Sequence, residues 1–178
     1  NALGYEGEWE TAKSWHGLGK VLAHQRNYAA AESAFSTYIA LCIAQDNEHA
    51  CGYTYTDLAR WIYLPQNRLD EAIASVEKAL PIFERHSDPL NLAEALWVRG
   101  AIAARQENPN VALSSYDAAI ESAESIRSRL TAPTSQIRYR ATIETLYTAP
   151  VIQHLATHNP AAAFTAARYK SCSALCRP

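Results

Sequence analysis

Trp15-His16-Gly17-Leu18-Gly19-Lys20-Val21-Leu22, followed after a short polar break by Tyr28-Ala29-Ala30-Ala31-Glu32-Ser33-Ala34-Phe35-Ser36-Thr37-Tyr38, is the stretch that decides the fold. Its apolar residues fall three and four apart, the spacing of a helix with one buried face. The break between the two segments, Gln25-Arg26-Asn27, has the length of a turn joining antiparallel helices. The pattern then returns about 40 residues on. Tyr55, Leu58, Ala59 and Ile62 precede Leu69, Ala72, Val76 and Leu80, and Leu96, Gly100 and Ala103 precede Ala112, Tyr116 and Ile120. A small residue recurs at Ala31, Ala72 and Ala112, and a larger one a helical turn later at Phe35, Val76 and Tyr116. A period in this range marks a stack of similar units that bury their apolar faces against one another.

Working outward, the spacing predicts eight helices, near 8–25, 28–46, 48–64, 68–86, 89–107, 109–131, 135–157 and 160–176. Asp88-Pro89, Asn108-Pro109 and Asn159-Pro160 each offer a capping side chain followed by proline at the first helical position. No segment alternates with period two, so no strand is expected. Trp15, Phe35, Val76 and Tyr116 are expected in the core, and Ala31, Ala72 and Ala112 where paired helices approach closely. Residues 1–130 hold three helix pairs, and 131–178 form a degenerate fourth hairpin, kinked or broken near Pro133 and Pro150.

Composition narrows the function. The 178 residues carry 18 acidic and 16 basic side chains, a formal net charge of -2, which argues against a nucleic-acid-binding surface spread over the molecule. No apolar run is long enough for a membrane span, and no signal peptide is visible at Asn1–Glu10. Cys42, Cys51, Cys172 and Cys176 form no disulfide framework, so reduced thiols and a cytoplasmic location are expected. With Asn1 at the start and no methionine, the expectation is a piece of a longer protein, or its ordered part.

Trp-x2-Leu-Gly-x2-Leu, a turn, then Tyr-x2-Ala-x3-Phe resembles the tetratricopeptide repeat (TPR), in a long-helix form because the period is 40–41 residues. The second copy carries one extra residue, assigned to its turn near Leu64-Pro65. The resemblance implies an all-α, TPR-type solenoid of antiparallel helix pairs, about four of them, in a right-handed superhelix. It also implies a protein-protein interaction scaffold.

Further along, Tyr116-Asp117-Ala118-Ala119-Ile120, Ala123–Leu130, Leu146-Tyr147, Asn159–Phe164 and Ala167-Arg168-Tyr169-Lys170-Ser171 resemble the segment that joins TPR arrays to CHAT domains, the caspase-like proteases found with them. Arg168 and Lys170 match the first two basic positions of that segment, whereas Cys172 stands where an arginine is usual. This resemblance implies the sensor or regulatory part of a bacterial CHAT-type protease. The alternative is a peptide- or partner-binding TPR module of a transcriptional or signalling regulator. No catalytic residue carries over to this stretch, so the segment itself is not expected to be an enzyme.

In the TPR analogy the first helix of each pair lines the concave face. Its outward positions are Lys13, His16, Lys20 and His24; then Tyr53, Thr56, Arg60 and Tyr63; then Glu94, Trp97, Ala101 and Arg105. The basic and aromatic members, Lys13, His16, Lys20, His24, Tyr53, Arg60, Tyr63, Trp97 and Arg105, form a candidate groove for a protein or peptide partner carrying carboxylates. The carboxylate clamp of some TPR proteins is not reproduced, because Ala101 stands where a basic residue is needed. His154-x3-His158 and Cys172-x3-Cys176 place two metal-ligand types on helix faces, but a turn near Asn159 leaves the two pairs roughly 12 Å apart along the axis. Zinc needs every ligand within about 2.0–2.3 Å, so no metal site is expected. No glycine-rich phosphate loop or nucleophile elbow is present, and no cofactor is expected.

Overall fold

A computed structural model describes residues 2–127, together with 157, 158 and 160; side chains are described for 13–125 and for those three residues. Among the described residues every element is a helix: α1 (Ala2–His24), α2 (Tyr28–Ala44), α3 (Glu48–Asp57), a π-helical segment (Leu58–Tyr63) continuing α3, α4 (Leu69–Arg85), α5 (Pro89–Arg105) and α6 (Pro109–Arg127). The fold class is therefore the expected one, all-α and built of antiparallel helix pairs. The chain divides into two compact units, Asn1–His86 and Ser87–Pro178. The first holds α1 to α4, and the second holds α5 and α6. The expected fourth hairpin, 131–178, lies almost wholly outside the described residues.

One device recurs at the five turns between the described helices. Arg26, Asp46, Asn67, Ser87 and Glu107 have φ between 50° and 60°, the left-handed region, although none is glycine. Each sits just past a helix end, where a left-handed residue lets two backbone N–H groups reach back to orphan carbonyls. At the first turn Asn27 N–H donates to Leu22 at 2.9 Å and Arg26 N–H to Ala23 at 2.9 Å; the same pair of bonds recurs at 46/47, 67/68 and 107/108. The next residue begins the following helix. Asn47, Asp88 and Asn108 accept from the N–H groups of Ala50, Asn91 and Val111 through their side chains. The capping expected of Asp88 and Asn108 is thus in place.

These left-handed residues are spaced 20, 21, 20 and 20 apart, so one extra residue lies between Asp46 and Asn67. It was expected in the turn near Leu64-Pro65. The turn instead keeps the common closing bonds, and the extra residue is taken up inside the helix as the π-helical segment, where Leu64 N–H reaches Ala59 at 2.9 Å. Two buried threonines precede it. Thr54 and Thr56 each donate to the carbonyl four residues back, at 3.1 Å, so their hydroxyls are satisfied within α3.

The core follows the repeat. In the first unit Ala23, Ala31, Phe35, Leu58 and Ile62 form one buried cluster from α1, α2 and the π-helical segment, and Tyr38, Cys42, Ala50 and Cys51 form another between α2 and α3. In the second unit Ala93, Ala103, Ala112, Tyr116, Ala119 and Ala123 form the corresponding cluster. Phe35, Val76 and Tyr116 are buried as expected. Trp15 is not: it is 36% exposed, on the outer side of α1.

Candidate functional site

The contact between α1 and α3 in the first unit centres on a residue absent from the sequence-derived set. Asp57 closes α3 at the start of the π-helical segment and is buried. Its two oxygens collect three partners. The Trp61 indole N–H donates to Oδ1 at 3.1 Å, His16 Nε2 lies 2.9 Å from Oδ2, and Lys20 Nζ stands 3.8 Å from the same oxygen. A buried carboxylate needs such partners to offset its desolvation. The arrangement ties α1 to α3 across the face of the helix pair. The His16 ring is also held 5.1 Å from Tyr38 and 5.7 Å from Phe35, centroid to centroid.

The π-helical segment adds the aromatic half of the site. Its wider turn carries Arg60 and Trp61 in sequence, with the Arg60 guanidinium 4.5 Å from the Trp61 ring centroid. His24 at the end of α1 packs against the same ring at 4.9 Å. Lys13, Lys20 and His24 are exposed and Arg60 is half-buried. The structure therefore gathers His16, Lys20, His24 and Arg60 around Asp57 and Trp61.

Other members of the expected set lie elsewhere. Tyr53 packs on His49 and Phe83, its ring 4.8 Å and 5.6 Å from theirs. The Tyr63 hydroxyl donates to Glu32 at 3.1 Å, and its ring lies beneath the Arg68 guanidinium at 4.6 Å. Thr56, expected to point outward, is buried; its place toward α1 is taken by Asp57, one residue on. Glu94, Trp97, Ala101 and Arg105 belong to the second unit, where Trp97 is half-buried and Arg105 exposed. Of the expected metal-ligand types, His158 is described and exposed, while His154, Cys172 and Cys176 lie outside the described residues.

Asp57 was legible in one respect: an acidic residue stands directly before the apolar Leu58-Ala59 pair, on a helix whose neighbour carries His16 and Lys20. The extra residue of the second copy hid it, because a straight helix puts Thr56 in the outward register.

Two further features were not anticipated. Glu32 on α2, Arg68 at the start of α4 and Glu71 one turn on form a network, with Arg68 Nη1 2.8 Å from Glu32 Oε2 and Arg68 Nε 2.7 Å from Glu71 Oε2. The hydrogen bonds from Arg68 hold both carboxyls below their ordinary range, and burial, together with the bond to Glu32, pushes the Tyr63 phenol up to about 12. Separately, a cleft of about 490 Å³ opens beside α2, α3 and α4, with Ile43, Tyr55, Lys78 and Ile82 among its lining residues and the buried Cys42 and Cys51 behind them. Burial raises both thiols, Cys51 to about 12.

Residues 10–85, from within α1 to the end of α4, match the tetratricopeptide repeat family. No curated protein and no solved structure matches the chain. Tetratricopeptide repeats are scaffold elements that generally mediate protein-protein interaction. Among the described residues, no helix is long and apolar enough to cross a membrane.

Proposed function

We infer that the face shared by α1, α3 and the π-helical segment is a docking surface for an acidic segment of a partner protein. The observation that carries this reading is the Asp57 hub. One buried carboxylate anchors His16, Lys20 and Trp61, so the cationic and aromatic groups around it are held in place before any partner arrives. Pre-ordering lowers the entropy cost of binding. Lys20 stands beside the buried Asp57 carboxylate and Arg60 lies over the Trp61 ring that Asp57 holds, two cations that favour carboxylates on the incoming chain.

The test is a pull-down from the native host with wild type and Lys20→Ala/Arg60→Ala, followed by titration of the recovered partner at two salt concentrations. The double variant should bind more weakly, and its deficit should shrink as salt rises, because exposed charges are screened over about 8–10 Å at 0.10–0.15 M. Its stability should change by only about 0–1 kcal/mol per charge. Unchanged partners and affinities would contradict the reading.

The finer reading is that this stretch is the cytoplasmic sensor segment of a CHAT-type caspase-like protease. It rests on the resemblance of Tyr116–Ser171 alone, most of which lies outside the described residues. The full reading frame tests it. A caspase-like domain with a histidine and a cysteine beyond Pro178 is the expected result; a DNA-binding or kinase domain would favour a transcriptional or signalling regulator.

A further inference from the structure

α1 presents three large apolar side chains to water. Trp15 is 36% exposed, Leu18 43% and Val21 53%. Their spacing of three sets them along one side of the helix. It is not the side that meets Asp57, which belongs to His16 and Lys20, nor the side that meets α2, where Gly19 and Ala23 are buried. Large apolar side chains clustered in this way mark an interaction surface more often than isolated ones do.

The molecule itself shows what covers such a face. In the repeat alignment Leu18 corresponds to Leu58, 40 residues on. Leu58 is 4% exposed. The difference comes from α2, which brings Ala31, Phe35 and Ile39 to the cluster that buries Leu58. The contact between α2 and the π-helical segment is thus one copy of an interface whose acceptor half is repeated on α1, with Leu18 exposed where Leu58 is buried.

We propose that the Trp15–Leu18–Val21 face docks one amphipathic helix of the α2 kind. Such a helix carries a small residue, an aromatic four residues later and a branched aliphatic four beyond that, as Ala31, Phe35 and Ile39 do. Ser14 and Gln25 are the polar residues nearest the stripe along the helix, so the contact surface of the incoming helix is uncharged. A second folded copy does not supply it, because the ridge of its own α2 is already buried against α1 and the π-helical segment. This surface is distinct from the acidic-segment site, and the two can fail independently.

The test uses the whole chain and, as probe, a hydrocarbon-stapled, dye-labelled peptide of residues 28–44 carrying Cys42→Ala, followed by fluorescence anisotropy. Wild type should bind it saturably. Leu18→Glu and, independently, Val21→Glu should each weaken binding about tenfold or more, since each leaves a carboxylate unpaired in an apolar contact. Ile43→Glu, at an exposed apolar residue on α2, should leave affinity within about twofold. A probe with Phe35→Glu should not bind. Unchanged helicity confirms that the variants fold, as expected for side chains already in water. Absence of saturable binding to wild type, or equal affinity for wild type and both stripe variants, would overturn the proposal. So would dimerisation of wild type abolished by Leu18→Glu, which would assign the face to a second copy.

Discussion

Gly19 lies against the ring of Phe35 so closely that a β-carbon on it would stand 2.7 Å from Cδ1 and Cε1. Gly100 and Tyr116 repeat the relationship in the second unit, with the ring at 2.5 Å. In the second copy the corresponding pair is Ala59 and Val76, both fully buried. Where the second helix brings a ring, the first has no side chain; where it brings valine, the first has a methyl group. The repeat therefore conserves the packed volume of the contact rather than the identity of either residue.

Two glycines on α1 should respond oppositely to alanine. Gly17 has open space around it, so Gly17→Ala should raise stability by about 0.5–1 kcal/mol, the usual gain in a helix interior. Gly19→Ala should lower it by about 1–3 kcal/mol, because overpacking against the buried Phe35 ring outweighs that gain. Ala72→Leu should cost a similar amount, since Ala72 is fully buried. Urea midpoints check all three. Equal shifts for the two glycines would show that Phe35 moves aside freely.

The turn residues offer a gain. Glu107 sits at φ 57° and is exposed, and left-handed backbone costs a non-glycine residue roughly 1–2 kcal/mol. Glu107→Gly should stabilise by about 0.5–1 kcal/mol, after glycine's extra unfolded-state entropy offsets part of the relief. Arg26→Gly should behave alike. Destabilisation of both, measured thermally, would mean that these side chains hold the turn.

The Glu32–Arg68 pair should be visible on the acid side. Arg68 holds the Glu32 carboxyl below its ordinary value, so the folded form favours the ionised state. The resulting stability is complete above the unfolded carboxylate range, near pH 4.3, and is lost as pH falls through the lower folded value. Glu32→Gln should flatten the fall of stability with acid below about pH 4.3 while lowering stability at neutral pH. An unchanged acid slope would contradict the pairing.

Cys42 and Cys51 should be slow to react. Both are buried and both thiols are raised by that burial, which leaves little thiolate at neutral pH. In a Cys172→Ser/Cys176→Ser background, a thiol reagent should label neither until the chain is unfolded. The sign at high pH follows: folding holds the thiols protonated, so stability declines as pH rises above the ordinary thiol range near 8.5. Rapid labelling of either thiol in the native protein would contradict this.

Much of this fold was legible from α1 to α6 because helix pairs leave a periodic trace. Small residues fall where backbones approach and large ones where pairs meet, and each turn adds a polar interruption. What escaped was register and cover. The residue that lengthens the second copy reads equally well as a longer turn or a wider helix. Only the latter brings Asp57, rather than Thr56, to His16. Leu18, exposed, carries the same apolar signal as the buried Leu58, because sequence records which faces seek a partner and not whether one is present. The Glu32–Arg68 network joins residues 36 positions apart, with nothing local to announce it.

A partner that docks on the face organised by Asp57 should be captured there in the cell. The most direct measurement places a photo-crosslinking residue at Lys20 and, separately, at Lys78 on α4, beside the separate cleft, and irradiates each in the native host. The Lys20 position should capture a discrete partner, with the cross-link mapping to a segment rich in aspartate or glutamate, and the Lys78 position should not. Capture of the same partner from Lys78 but not from Lys20 would contradict it.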